Sequence, residues 1–114
     1  MDPVLILDSH MNYLDKVSDY IEGNADDPGI IPHTECLLGS WYYGEAAQDD
    51  TIAKHEDYDK LGNLHKQFHE LTAEAVHTAK DDADTARAKV SEAYVLFGQI
   101  SNALLKIDES THEQ

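Results

Sequence analysis

The chain has 114 residues, 8 Lys+Arg against 23 Asp+Glu, and a formal net charge of −15 with every histidine neutral. One domain with a single modest core fits that length. The charge excludes nucleic acid and an anionic membrane surface as partners, because binding either depends on Lys and Arg displacing counterions.

With 41% apolar residues the chain lies outside the disordered class. Asp2-Pro3 reads as N-cap and first helical residue, since proline lacks the N–H that a helix start leaves unpaired. The first predicted helix runs to about Glu22, with Leu7, His10, Leu14, Val17 and Ile21 on one face at steps of three and four. Gly23-Asn24 ends it, and residues 24–33, with Pro28, Gly29 and Pro32, form an irregular loop. Thr34 is the expected cap of a short second helix, Glu35 to Tyr43, that Gly44 stops. An acidic connection covers residues 45–56. The third helix, about Asp57 to Lys80, has the stripe Leu61, Leu64, His65, Phe68, Thr72, Ala75 and Ala79, with His69 and Val76 beside it. Asp81-Asp82 mark a turn, and Asp84 supplies the carboxylate that a helix dipole favours in its first turn. The last helix, about Asp84 to Ile107, carries Ala86, Val90, Ala93, Phe97, Ile100, Leu104 and Ile107, and the polar tail over residues 108–114 is expected to fray.

No stretch alternates with period two for long enough to make a strand. The pattern predicts an all-α, antiparallel four-helix bundle of three long helices and one short one, a single domain over residues 1–114. The longest apolar runs, Val4–Leu7 and Ala93–Phe97, are too short to cross a bilayer, and Met1-Asp2-Pro3 lacks the positive start of a secretory signal. A soluble cytoplasmic protein is expected.

Seven histidines and one cysteine stand out against the acidic background. His65 and His69, four apart on one helix, project from the same face one turn from each other. His65 sits among Leu61, Leu64 and Phe68, where an unpaired imidazole is costly to bury. His10 occupies the equivalent place on the first helix, between Leu7 and Leu14. Cys36 falls at the second position of the short helix, where free N–H groups and the helix dipole are expected to lower its pKa. Taken singly, each suits an ordinary core, a hydrogen-bonded histidine or a small apolar cysteine. Taken together, three nitrogens and one sulfur suit tetrahedral Zn²⁺. His33, His55, His77 and His112 read as loop, surface or tail residues without a role. Trp41, Tyr42 and Tyr43 read as core and site wall. The acidic runs read as solvated surface, since no D-x-[DN]-x-[DN]-G calcium loop occurs.

His10-Met11-Asn12-Tyr13, the run Cys36-Leu37-Leu38-Gly39-Ser40-Trp41, and His65-Lys66-Gln67-Phe68-His69 together give H-x-x-[W/Y/L], C-x-x-G-x-W and H-x-x-x-H. This set resembles the chemoreceptor zinc-binding (CZB) domain family from about Leu7 to Ala79. Tyr13 stands where many members have Trp, and no Pro precedes the third helix. The resemblance implies that His10, Cys36, His65 and His69 are the ligands of a closed Zn²⁺ site, and that no coordination place is left for water, so hydrolytic chemistry is not expected. It further implies a sensory role in which zinc occupancy or oxidation of Cys36 alters the bundle and signals to a chemoreceptor or diguanylate cyclase partner, in cis or in trans. A homodimer is expected. The ends of the chain read as those of a stand-alone domain acting in trans.

Other readings of a His-rich helical bundle meet the residues less well. A hemerythrin-like di-iron protein needs H-x-x-x-E, and the fourth residue after each histidine is Leu14, Leu37, Asp59, His69, Ala73 or Asp81. Metalloprotease chemistry needs H-E-x-x-H, which neither His55-Glu56 nor His69-Glu70 continues. A structural helical interaction module, or a zinc buffer without a sensing role, remains as the alternative.

Overall fold

The computed structural model describes residues 2–112. Glu113 and Gln114, the end of the expected tail, lie outside the described residues, as does the side chain of His112. The described residues form six helices and no strand: α1 Pro3–Ile21, α2 Leu37–Tyr43, α3 Glu45–Gln48, α4 Asp50–Ala53, α5 Tyr58–Thr78 and α6 Ala83–His112. The all-helical expectation holds.

Local chemistry sets most of the boundaries. The Asp2 carboxylate accepts from the Leu5 N–H at 3.1 Å with Pro3 at the first helical position. Beyond α1, Gly23 takes φ +80°, which a side chain would resist. Asp82, just before α6, accepts from the Thr85 N–H at 3.0 Å and from the Thr85 hydroxyl at 2.6 Å. The connection over residues 45–56 is more ordered than its acidity suggested. Asp49 caps α4 by accepting from Thr51 N at 2.9 Å, and Ala46 and Ile52 are buried. The last helix also runs further than expected. Asp108 to His112 continue α6 where fraying was predicted, because Ile107 is fully buried and anchors the turn that follows it.

Packing follows the three-four spacing. Leu14, Val17, Leu61, Phe68, Ala75, Ala86, Ala93, Ile100, Leu104 and Ile107 are all buried. On α1 it is Ile6 that is buried, while Leu7 is half-buried at the edge of the core. The three long helices pack on one another in every pairing, and α4 closes against α6. At about 1.5 Å per residue α6 is about 45 Å long, which sets the long axis of a 50 × 19 × 18 Å molecule. α1, α2 and α5 gather on one side of this core, and the candidate site lies between them.

Candidate metal centre

His10, Cys36, His65 and His69 come together, with one ligand atom from each within 4.8 Å of every other. His10 Nε2 is 3.1 Å from His65 Nε2, and Cys36 Sγ is 3.1 Å from His65 Nε2 and 3.6 Å from His10 Nε2. Tetrahedral zinc with ordinary bond lengths spaces two nitrogens about 3.3 Å apart and a nitrogen and a sulfur about 3.6 Å apart. The N–N edge of 3.1 Å and the His10–Cys36 edge of 3.6 Å lie near those values, and the Cys36–His65 edge of 3.1 Å is shorter. Its three histidines are buried and Cys36 is half-buried.

Two imidazoles are aimed by backbone oxygens. His10 Nδ1–H donates to the Ile6 carbonyl, 2.8 Å, one turn back on α1. His69 Nδ1–H donates to the Ile31 carbonyl, 2.7 Å, on the loop that precedes Cys36. Each bond fixes the tautomer and turns Nε2 inward, the arrangement that metal-ligating histidines adopt. His69 Nε2 is then a buried lone pair with no hydrogen-bond partner, the one such side-chain nitrogen or oxygen among the described residues. An orphan of that kind is costly in a core and is answered by a cation.

The electrostatics favour uncharged ligands. Burial drives all three imidazoles below their ordinary pKa, His69 to about 4, and the neighbouring histidines deepen the shift at His65 and His69. Burial also pushes the Cys36 thiol up, against the opposing pull of the Gly39 N–H. This corrects the expectation that a helix start would lower that thiol. Cys36 is the N-cap of α2 rather than its second residue, and its Sγ accepts from Gly39 N at 3.4 Å. Backbone N–H groups at the helix start do not offset removal of a thiolate from water. The helix consequently begins at Leu37, not at Glu35 under a Thr34 cap.

The remaining motif residues position these four. Gly39 packs so closely under the His33 carbonyl that a Cβ there would overlap the oxygen. Tyr13, one turn after His10, stacks on His69 with centroids 6.5 Å apart and donates from its hydroxyl to the Gly29 carbonyl at 2.7 Å. Thr72 donates to the His69 carbonyl at 3.1 Å. The model of the chemoreceptor zinc-binding domain matches residues 10–76, a span that starts on one clustered histidine and encloses the other three residues. The chain belongs to the chemoreceptor zinc-binding domain family. No curated protein and no solved structure matches it.

The CZB match bears on the chemistry of the centre, since it names zinc for a set of donors that can hold it. CZB is a sensory, regulatory family rather than a catalytic one. No helix among the described residues is long and apolar enough to cross a membrane.

Of the aromatic run, Trp41 and Tyr42 are buried as expected, but Tyr43 is exposed and reaches His33 instead of walling the site. Tyr42 and Tyr58 stack at 4.2 Å and each donates its hydroxyl to the other's carbonyl, at 2.9 and 2.7 Å, which pins the end of α2 to the start of α5. His33 is a residue that the sequence pattern passed over, although it lies at the edge of the cluster, with its ring centroid 6.1 Å from that of His65. The spacing His33-x-x-Cys36, itself a chelating interval, was the signal available. A cleft of about 290 Å³ opens onto the centre between Ser9, Tyr13, Ile31, Glu35 and Leu37, with His10, Cys36 and His69 at its floor.

Proposed function

We propose that this chain is a zinc-dependent sensory domain in which His10, Cys36, His65 and His69 are the zinc ligands and Cys36 is the reactive group. The observation that carries the assignment is the buried, unpartnered Nε2 of His69, aimed at two further imidazole nitrogens and one sulfur. Bound zinc supplies the positive charge that lets a buried cysteine persist as thiolate. Three neutral imidazoles and one thiolate leave the centre at about +1 and coordinatively closed, which accords with sensing rather than hydrolysis.

The cleft above Cys36 gives a small oxidant a way in. Hypochlorous acid would transfer its oxygen to the Cys36 sulfur: the S–O bond forms, the O–Cl bond breaks, sulfur loses two electrons and chloride departs with them, leaving a sulfenic acid. Because Cys36 is also the N-cap of α2, oxidation would disturb the start of that helix together with the ligand set. α2 is seven residues long, and its far end is tied through Tyr42 and Tyr58 to α5, so movement at Cys36 has a route into the bundle. We read that bundle as an antiparallel four-helix one. Support comes from Arg87 near the start of α6, which pairs with Glu22 at the end of α1 at 2.6 Å, and from Lys89, which pairs with Glu74 near the end of α5 at 2.9 Å.

The listener is a chemoreceptor or diguanylate cyclase type of signalling protein, in cis or in trans, and the domain acts in the cytoplasm as a homodimer. Exposed Val95 and Leu105 on α6 support pairing of copies. The test is titration of zinc-loaded protein with hypochlorous acid, followed by peptide mass spectrometry and circular dichroism. Oxygen uptake at Cys36 ahead of Met11, with a change in helix content or zinc retention, is expected. An inert Cys36 beside an oxidised Met11 would reject the redox reading.

A further inference from the structure

The loop that delivers Cys36 to the centre carries another imidazole three residues earlier. His33 is half-buried, its ring stands edge-on to that of His65 at 6.1 Å between centroids, and its carbonyl oxygen is 3.6 Å from Cys36 Sγ. Its Nδ1 is 3.2 Å from the Tyr43 hydroxyl. His10 and His69 are held in the same manner, with Nδ1 engaged by an oxygen and Nε2 left to face a cation. A tyrosine hydroxyl both donates and accepts, so it accommodates the Nδ1–H tautomer that frees His33 Nε2. His33 to Glu35 form a turn outside any helix, whose own backbone bond is Glu35 N–H to Pro32 O at 3.0 Å. No helical ladder has to break for the turn to shift.

Resting on the zinc reading above, we propose that His33 is a reserve ligand. When Cys36 leaves the ion, His33 Nε2 takes its place, and zinc is kept by His10, His33, His65 and His69. A neutral imidazole replaces a thiolate, so the charge of the centre rises by one while the 33–36 turn moves. The oxidised and zinc-free states of the domain are then different structures, and a partner can tell them apart.

The experiment compares wild type, His33→Gln, Cys36→Ser and the double variant, with zinc affinity measured by chelator competition and geometry by cobalt(II) absorption. Serine keeps an N-cap acceptor for the Gly39 N–H, so α2 retains its start, and circular dichroism checks the fold of each variant. His33→Gln alone should leave zinc affinity close to that of wild type, because the hydrogen bond of the His33 ring goes to Tyr43 and not to a clustered residue. Cys36→Ser should lose the thiolate-to-cobalt charge-transfer band, keep intense tetrahedral bands, and bind zinc more weakly. Adding His33→Gln to Cys36→Ser should cost about tenfold or more in zinc affinity and abolish the tetrahedral spectrum. Equal affinity of Cys36→Ser and the double variant, or a folded Cys36→Ser protein without metal, would overturn the proposal. Failure of the wild type to bind zinc would instead sink the zinc reading, and His33 with it.

Discussion

Three of the four clustered residues are fixed by something other than their neighbours in the cluster. His10 is aimed by the Ile6 carbonyl, His69 by the Ile31 carbonyl and the Tyr13 ring, and Cys36 by Gly39 beneath the turn. Gly39→Ala must push the His33 carbonyl away, and the expected cost is about 2 kcal/mol of stability in urea unfolding, with weaker zinc binding. Unchanged values in both would show that the close approach is not what the C-x-x-G spacing serves. Protonation gives a second prediction at this scale. His69 has an ordinary value of 6.5 when unfolded and about 4 when folded. The unfolded state therefore binds more protons between those values, and stability present above pH 6.5 is lost as pH falls through 4. Zinc-free protein should lose on the order of 3 kcal/mol from His69 alone over that window. His69→Gln should flatten this part of the urea-midpoint profile, and an equally steep profile in the variant would assign the loss to other groups.

At the scale of elements, what was legible in the sequence was what repeats. The three-four stripes of α1, α5 and α6 carry the core and also carry His10, His65 and His69 on their buried faces, so periodicity alone brought three of the four clustered residues inward. The start of α2 was not legible, because the choice between Thr34 and Cys36 as cap depends on the Cys36 sulfur being held inside the cluster, a tertiary contact. The order of α3 and α4 was missed for a similar reason. Ala46 and Ile52 are isolated apolar positions in an acidic stretch, and they gain weight only from the core that they cover. Phe68 lies between the two clustered histidines of α5, fully buried, with its ring 5.5 Å from those of His10 and His69. Phe68→Ala should cost about 3–5 kcal/mol by thermal or urea unfolding and loosen zinc. A loss below about 1 kcal/mol would mean that the core refills the space, as a readily collapsing site would.

For the whole molecule, the charge of −15 and the metal centre occupy different regions. Asp26, Asp27, Asp49, Asp50, Asp81 and Asp82 are exposed in the connections, while His10, His65 and His69 are buried between helices. A shell of this charge repels anions, and on the proposed assignment it leaves cation binding to a small centre of about +1. On the proposed assignment zinc binding is also folding free energy, because the four clustered residues are spread across α1, the start of α2 and α5 and a preformed site does not exist in the unfolded chain. The most direct test of the account is therefore the zinc content of purified protein by elemental analysis, measured beside His69→Ala. About one zinc per chain in the wild type and a sharp loss in His69→Ala is the predicted result. Wild-type protein without zinc, or equal zinc in both proteins, would contradict it.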